Sequence, residues 1–334
     1  MAPEKDYFYH SGPYFITSID WNNESHQRSI VASLVKGVSV LQKDRKSGRQ
    51  GPNALAPPWW THFHFHLYEP IFDNDYIFGA IYEFKPPLSM CSFTLSGSPH
   101  YIIAFRGTIP TSFHDIKLDY KIFQHRLHPT APAKKAIEVV QNTVDIAGGS
   151  NIWLAGHSLG SSIAMFVGKT MAMSGIFIKS FLFNPPFVSA PIEIINCENL
   201  KFWIRLTGSV VKAGIASMKG NVETSLSYDS LSNWVPSLFV NPSDLICLEY
   251  IGYFKHKRIM GMIGAGDTEK LAAPISIRCQ MKAVFGKKCE PIHLIPSASL
   301  TVNYTPLERR FEGAHGICQW WNPDLYSVTN VYKY

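Results

Sequence analysis

The chain has 334 residues, 46% of them hydrophobic and 17% charged, with a formal net charge of +6. That balance excludes a globally disordered protein, and no basic run interleaved with aromatics points to a nucleic-acid partner. The six cysteines, at 91, 197, 247, 279, 289 and 318, form no C-x-x-C pair and read as reduced core thiols rather than a disulfide framework.

The opening residues, MAPEKDYFYHSGPYF, carry no basic segment followed by an apolar stretch, so no secretory signal is expected. No apolar run approaches the roughly 20 residues of a membrane span, and a cytoplasmic location is the expectation. Two charged clusters, Lys43-Asp44-Arg45-Lys46 and Lys255-His256-Lys257-Arg258, read as solvated loops. Transient contact with an anionic membrane surface is the alternative use of their charge.

From Asn23 to about Leu41, the residues Ile30, Val31, Leu34, Val35 and Val38 recur at helical spacing, and Gly48, Gly51 and Pro52 follow. At 62–66 the run HFHFH alternates. As a strand it would put His62, His64 and His66 on one face, as metal ligands sometimes stand, but no carboxylate or cysteine lies at ligand spacing. A solvated histidine face is the preferred reading, and no metal is expected. YIFGAIYEF (76–84) and HYIIAFRG (100–107) are β-rich and predict a strand pair.

The segment AKKAIEVVQNTVDIAGG predicts a helix with Ile137, Val140 and Val144 on one face, ended by Gly148-Gly149. NIWLA (151–155) predicts a short buried strand. SSIAMFVGKTMAMSG predicts a helix with Ile163, Phe166, Val167 and Met171 on one side and Gly175 as its stop. SFLFNPP (180–186) and SLFVNPSD (237–244) each predict a strand running into a polar loop. Strands alternating with helices imply an α/β class, with a mostly parallel sheet between helix layers.

Between the strand NIWLA and the next helix lies Gly156-His157-Ser158-Leu159-Gly160. A G-x-S-x-G run is weak evidence alone. Its setting between a buried strand and a helix is that of a nucleophile elbow, a turn so tight that only small residues fit around the serine. The departing helix would aim its N-terminal N–H groups at Ser158 and favour developing negative charge there. The other reading is a loop serine in a Rossmann-like turn, but no phosphate-binding glycine pattern is present, and no cofactor is expected. Oxyanion donors would be the backbone N–H of Leu159 and Thr108, which leaves the strand YIIAFRG.

In this architecture the acid and the base follow the serine in chain order. Asp244 is the preferred acid because it ends the loop after a strand; Asp229 and Asp267 lie in polar stretches with no entering strand. His315, between Ala314 and Gly316, is the preferred base. His293 in PIHLIPSASL is the alternative, and His256 sits between lysines on an expected surface.

Together YIIAFRGT, WLAGHSLGSS, NPSD and AHGICQWW resemble the class 3 (fungal-type, triacylglycerol) lipases, most closely their plant esterase/lipase-like branch, over roughly residues 75–321. The resemblance implies an α/β-hydrolase fold, the triad Ser158, Asp244 and His315, and Thr108 as the oxyanion residue. It also implies an amphipathic lid at 109–118, where Ile109, Phe113, Ile116 and Leu118 stand. The chain departs from the pattern in lacking the tryptophan near the lid's end and in a longer Ser-to-Asp interval, expected to hold extra helices at about 187–236.

The expected organisation is a single α/β-hydrolase domain over 1–334, with a helical and loop extension at 1–74 and a lipase-like core at 75–334. The expected activity is hydrolysis of carboxylic, acyl-lipid esters through an acyl-enzyme, on small-molecule or lipid ester substrates. Two rivals stand beside it: a catalytically silent binding or scaffold protein, and an acyltransferase using the same triad.

Overall fold

A computed structural model of the chain describes residues 3–88, 96–107, 131–187, 205, 231–262, 293–306 and 310–333. Eight strands form one sheet in sequence order: β1 (Phe65–Asp73), β2 (Tyr76–Phe84), β3 (Tyr101–Phe105), β4 (Ile152–His157), β5 (Lys179–Phe183), β6 (Ser237–Val240), β7 (Ala298–Asn303) and β8 (Ser327–Tyr332). β3 to β7 run parallel to one another. β1 and β2 extend one side antiparallel, and β8 closes the other antiparallel to β7.

The parallel strands are mostly apolar because both of their faces are covered. In β4, Trp153 and Ala155 face one side, where they join the α1 helix (Glu24–Lys46), the tryptophans at 59 and 320 and the phenylalanines at 181, 183 and 239. Ile152 and Leu154 face the other side, against α2 (Ala131–Ala147), α3 (Leu159–Met173) and α4 (Glu249–Met262). This is a three-layer α/β arrangement with a mostly parallel sheet. Residues before 75 supply the α1 helix, which packs across β2 to β5 on one face, and the edge strand β1. Among the described residues no helix is long and apolar enough to cross a membrane.

α1 runs five residues beyond Leu41. Asn23 caps its start by accepting from the backbone N–H groups of Ser25 and His26. Its last turn carries Lys43-Asp44-Arg45-Lys46, which is therefore not a solvated loop. The buried Asp6 carboxylate takes Lys43 at 2.7 Å and Lys36 at 3.0 Å. Asp44 is buried as well, accepting from Leu55 and Ala56 N–H and from Arg49. The second cluster lies in α4, where His256 is buried rather than on the surface and Lys257 reaches the carbonyl of Pro296 at 2.7 Å.

The alternating histidines do not share a strand face. His64 has a φ of 61°, which turns the chain before β1 starts at Phe65, and His62 instead contacts the Ile16 carbonyl at 3.1 Å. Among the described residues no three His, Cys, Asp or Glu side chains group closely enough to hold a metal ion. In α2 the buried stripe is Ala133, Ala136, Val139, Val140 and Thr143, leaving Ile137 and Val144 at its margin.

Candidate active site

The site lies where the parallel strands end. β4 stops at His157 and α3 begins at Leu159, so Ser158 alone makes the reversal. Its φ of 53° is rare for a residue bearing a Cβ. The neighbouring glycines explain how the chain tolerates it. A Cβ on Gly156 would stand 2.3 Å from the Gly160 carbonyl oxygen, and one on Gly160 would stand 2.3 Å from that of Phe105. The Ser158 N–H is tied to the Phe183 carbonyl at 3.0 Å, which fixes the elbow to the next strand.

Ser158 is 2% exposed and its Oγ stands 3.0 Å from His315 Nε2. His315 closes the short helix α5 (Arg310–His315), and its Nδ1 stands 2.9 Å from Asp244 Oδ2. Asp244 is fully buried in the turn after β6. An ionised carboxylate only accepts, so Nδ1 carries the imidazole proton and Nε2 presents its lone pair to the serine hydroxyl. The second carboxylate oxygen, Oδ1, accepts the Ile246 N–H at 3.0 Å.

Ser158 and the acid and base preferred from the sequence, Asp244 and His315, therefore form a continuous hydrogen-bonded series. The competing histidines lie elsewhere: His293 packs edge-on against Phe187 before β7, and His256 lies within α4. Asp229 and Asp267 fall outside the described residues, as do Thr108, the segment 109–118 and most of the interval 187–236. Leu159 is the first residue of α3, so its N–H has no acceptor within the helix. The chain leaving β3 passes close by. A Cβ on Gly107 would meet Ser158 Cβ at 3.0 Å, and Arg106 holds this exit by donating to the carbonyls of Ile77 at 2.6 Å and Gly107 at 2.9 Å.

Further side chains surround this series. His157 Nε2 donates to the His315 carbonyl at 2.7 Å. Burial, with the His315 ring beside it, pushes His157 down from 6.5 to about 3. It is neutral in the folded protein at neutral pH, whereas in the unfolded chain it takes up a proton below 6.5. The unfolded state thus binds more protons in that window, and stability is lost as pH falls from 6.5 toward about 3. Urea midpoints measured across that range should fall for the wild type and fall less steeply for His157→Gln.

Cys247 Sγ lies 3.2 Å from Asp244 Oδ2, and burial together with that carboxylate raises its thiol well above the ordinary value. It is a protonated donor and not a reactive thiolate. Asn184, Asn241 and Gln319 complete the surroundings. The one sequence signal for the two asparagines was an echo, Phe183-Asn184-Pro185 and Val240-Asn241-Pro242, at the ends of adjacent strands.

No family model matches the chain. A GDSL esterase/lipase of Arabidopsis thaliana is 44% identical to it over 353 aligned positions, which take in 100% of this chain and 99% of the relative. With an identity of that size along its whole length, the chain belongs to the esterase/lipase family of carboxylic ester hydrolases.

Proposed function

We propose that the protein is a serine esterase of the class 3 lipase type, with an α/β-hydrolase domain spanning 1–334, acting on acyl-lipid esters through an acyl-enzyme. The observation that carries this is the series Ser158 Oγ, His315 Nε2 and Nδ1, and Asp244 Oδ2, at separations of 3.0 and 2.9 Å, on a serine held at the start of a helix. His315 takes the hydroxyl proton as Ser158 Oγ attacks the ester carbonyl. Asp244 holds the ring's tautomer and stabilises its cation. The Leu159 N–H and Thr108 receive the oxyanion, a role favoured for Thr108 by the closeness of Gly107 to Ser158. His315 then gives its proton to the departing alcohol and draws one from the water that releases the acid.

The class 3 assignment rests on the elbow Gly156-His157-Ser158-Leu159-Gly160. Read as one-letter code, the GDSL in the relative's name is Gly-Asp-Ser-Leu. That tetrapeptide does not occur here, and Tyr228-Asp229-Ser230-Leu231 lacks the glycine. An acyl chain is favoured by the lipase in that name and by the apolar residues Ile109, Phe113, Ile116 and Leu118. The chain's overall net charge of +6 favours brief contact with an anionic lipid surface.

The test is a panel of esters of increasing acyl length, with product analysis in the presence of an added alcohol. Free acid as the main product, with kcat/KM rising with chain length, is the expected result. Transfer to the alcohol as the main course would instead assign acyl transfer, and no cleavage at any length would assign a binding role.

A further inference from the structure

We propose that Asn184 is a positioning residue for this site: its side-chain amide clamps the Asp244 carboxylate to the backbone segment that carries His315. The inference rests on the reading of Ser158, His315 and Asp244 as a catalytic series, and goes beyond it by assigning what keeps the acid and the base in register.

Asn184 follows β5 directly, is fully buried and has a φ of 47°, a conformation asparagine tolerates better than most residues. Its backbone N–H is bound to the Phe239 carbonyl of β6 at 2.8 Å, so the residue bridges the ends of two strands. The orientation of its amide is determined by a neighbour. Trp320 Nε1 stands 2.8 Å from Oδ1, and an indole N–H can only donate, so Oδ1 must face Trp320. Nδ2 then points the other way, and its two protons meet two oxygen acceptors, Asp244 Oδ2 at 2.7 Å and the Ala314 carbonyl at 2.9 Å, with Cys247 Sγ farther off at 3.7 Å.

Ala314 is the residue immediately before His315. One planar amide therefore spaces the acid's carboxylate from the base's own backbone, while the His315 ring meets the same Oδ2 at 2.9 Å. The carbonyl it grips is also held by Gln319 Nε2 at 2.6 Å, and Gln319 Oε1 accepts from Asn241 and Asn303 at 2.8 and 2.9 Å. The end of α5 bearing His315 is thus tied to the ends of β5, β6 and β7. Cys247 adds a weaker donor to Asp244. Within this set Asn184 is the residue that touches both the carboxylate and the segment carrying the imidazole. A hydrogen bond to a charged, buried acceptor is among the stronger ones, and losing it frees the carboxylate to rotate away from the ring.

The test uses the full chain with Asn184→Ser and Asn184→Asp beside Ser158→Ala. It reads ester hydrolysis across pH together with the low-field proton resonance of His315 Nδ1. In Asn184→Ser, kcat should fall about 10- to 100-fold with KM little changed, and the resonance should shift. Asn184→Asp keeps the shape and an acceptor for Trp320 but sets a second carboxyl against Asp244. The pair would share one proton, so the kcat profile should gain a new ionisation, activity falling as pH rises and that proton leaves. A wild-type profile and an unshifted resonance in Asn184→Asp would overturn the proposal, whether or not Asn184→Ser folds. So would lowered melting temperatures in both variants with kcat and the profile unaltered. Turnover persisting in Ser158→Ala would sink the underlying triad reading and this inference with it. An inactive Ser158→Ala beside unaffected Asn184 variants would sink this inference alone.

Discussion

Ser158→Ala is expected to lower kcat/KM for ester hydrolysis by about 10⁵-fold or more, with KM and the melting temperature little changed. The size of the effect follows from the site's construction. The hydroxyl is placed both 3.0 Å from His315 Nε2 and at the start of α3. Without it the imidazole, the carboxylate and the amide donors have no attacking atom to serve. A loss of that order with an intact fold, checked by circular dichroism, would separate chemistry from stability. Residual turnover within 10-fold of the wild type would mean that another group attacks the ester.

Asp244→Asn is expected to lower kcat by about 10⁴-fold. The carboxylate receives donors on both oxygens: Asn184, His315 and Cys247 on Oδ2 and the Ile246 N–H on Oδ1. An amide at this position cannot accept on both sides. With its nitrogen toward His315 it meets the Asn184 amide donor to donor. It also forces the ring's proton onto Nε2, where it faces Ser158 and blocks proton uptake. With its nitrogen toward Ile246 it meets a backbone N–H, and the negative charge that would stabilise the imidazolium is gone. Stability should therefore fall along with kcat, by about 1–3 kcal/mol for the unsatisfied buried donor, measurable as a lower urea midpoint. A variant with unchanged kcat would remove Asp244 from the mechanism.

How much of this was legible beforehand depends on the range of the signal. The elbow at 156–160 was legible because its constraint is local. Small residues flank the serine in the sequence, and a Cβ on Gly156 would strike the Gly160 carbonyl four residues on. The parallel strands were legible because burial on both faces writes short apolar runs. Asp244 stood out by ending a strand loop, and His315 by its small neighbours.

Elsewhere the deciding contact was distant. The charged end of α1 reads as solvated until Asp6, some thirty residues earlier, is placed beneath Lys36 and Lys43. The HFHFH run reads as a strand face until one backbone angle, φ of 61° at His64, breaks the alternation. Asn184 carried only the Asn-Pro echo and no sign of its role, because its partners at 244, 314 and 320 come from three other segments brought together at one end of the sheet. Burying its amide there is tolerable only because each polar atom finds a partner, and that condition is set by the tertiary structure.

The central claim is that Ser158, driven by His315 and Asp244, is the atom that attacks. It is tested most directly by reacting the full-length protein with a fluorophosphonate and mapping the adduct by mass spectrometry. One adduct on the peptide containing Ser158, lost in His315→Ala and absent in Ser158→Ala, is the predicted result. An adduct on any other serine, or none on a protein that still cleaves esters, would contradict it.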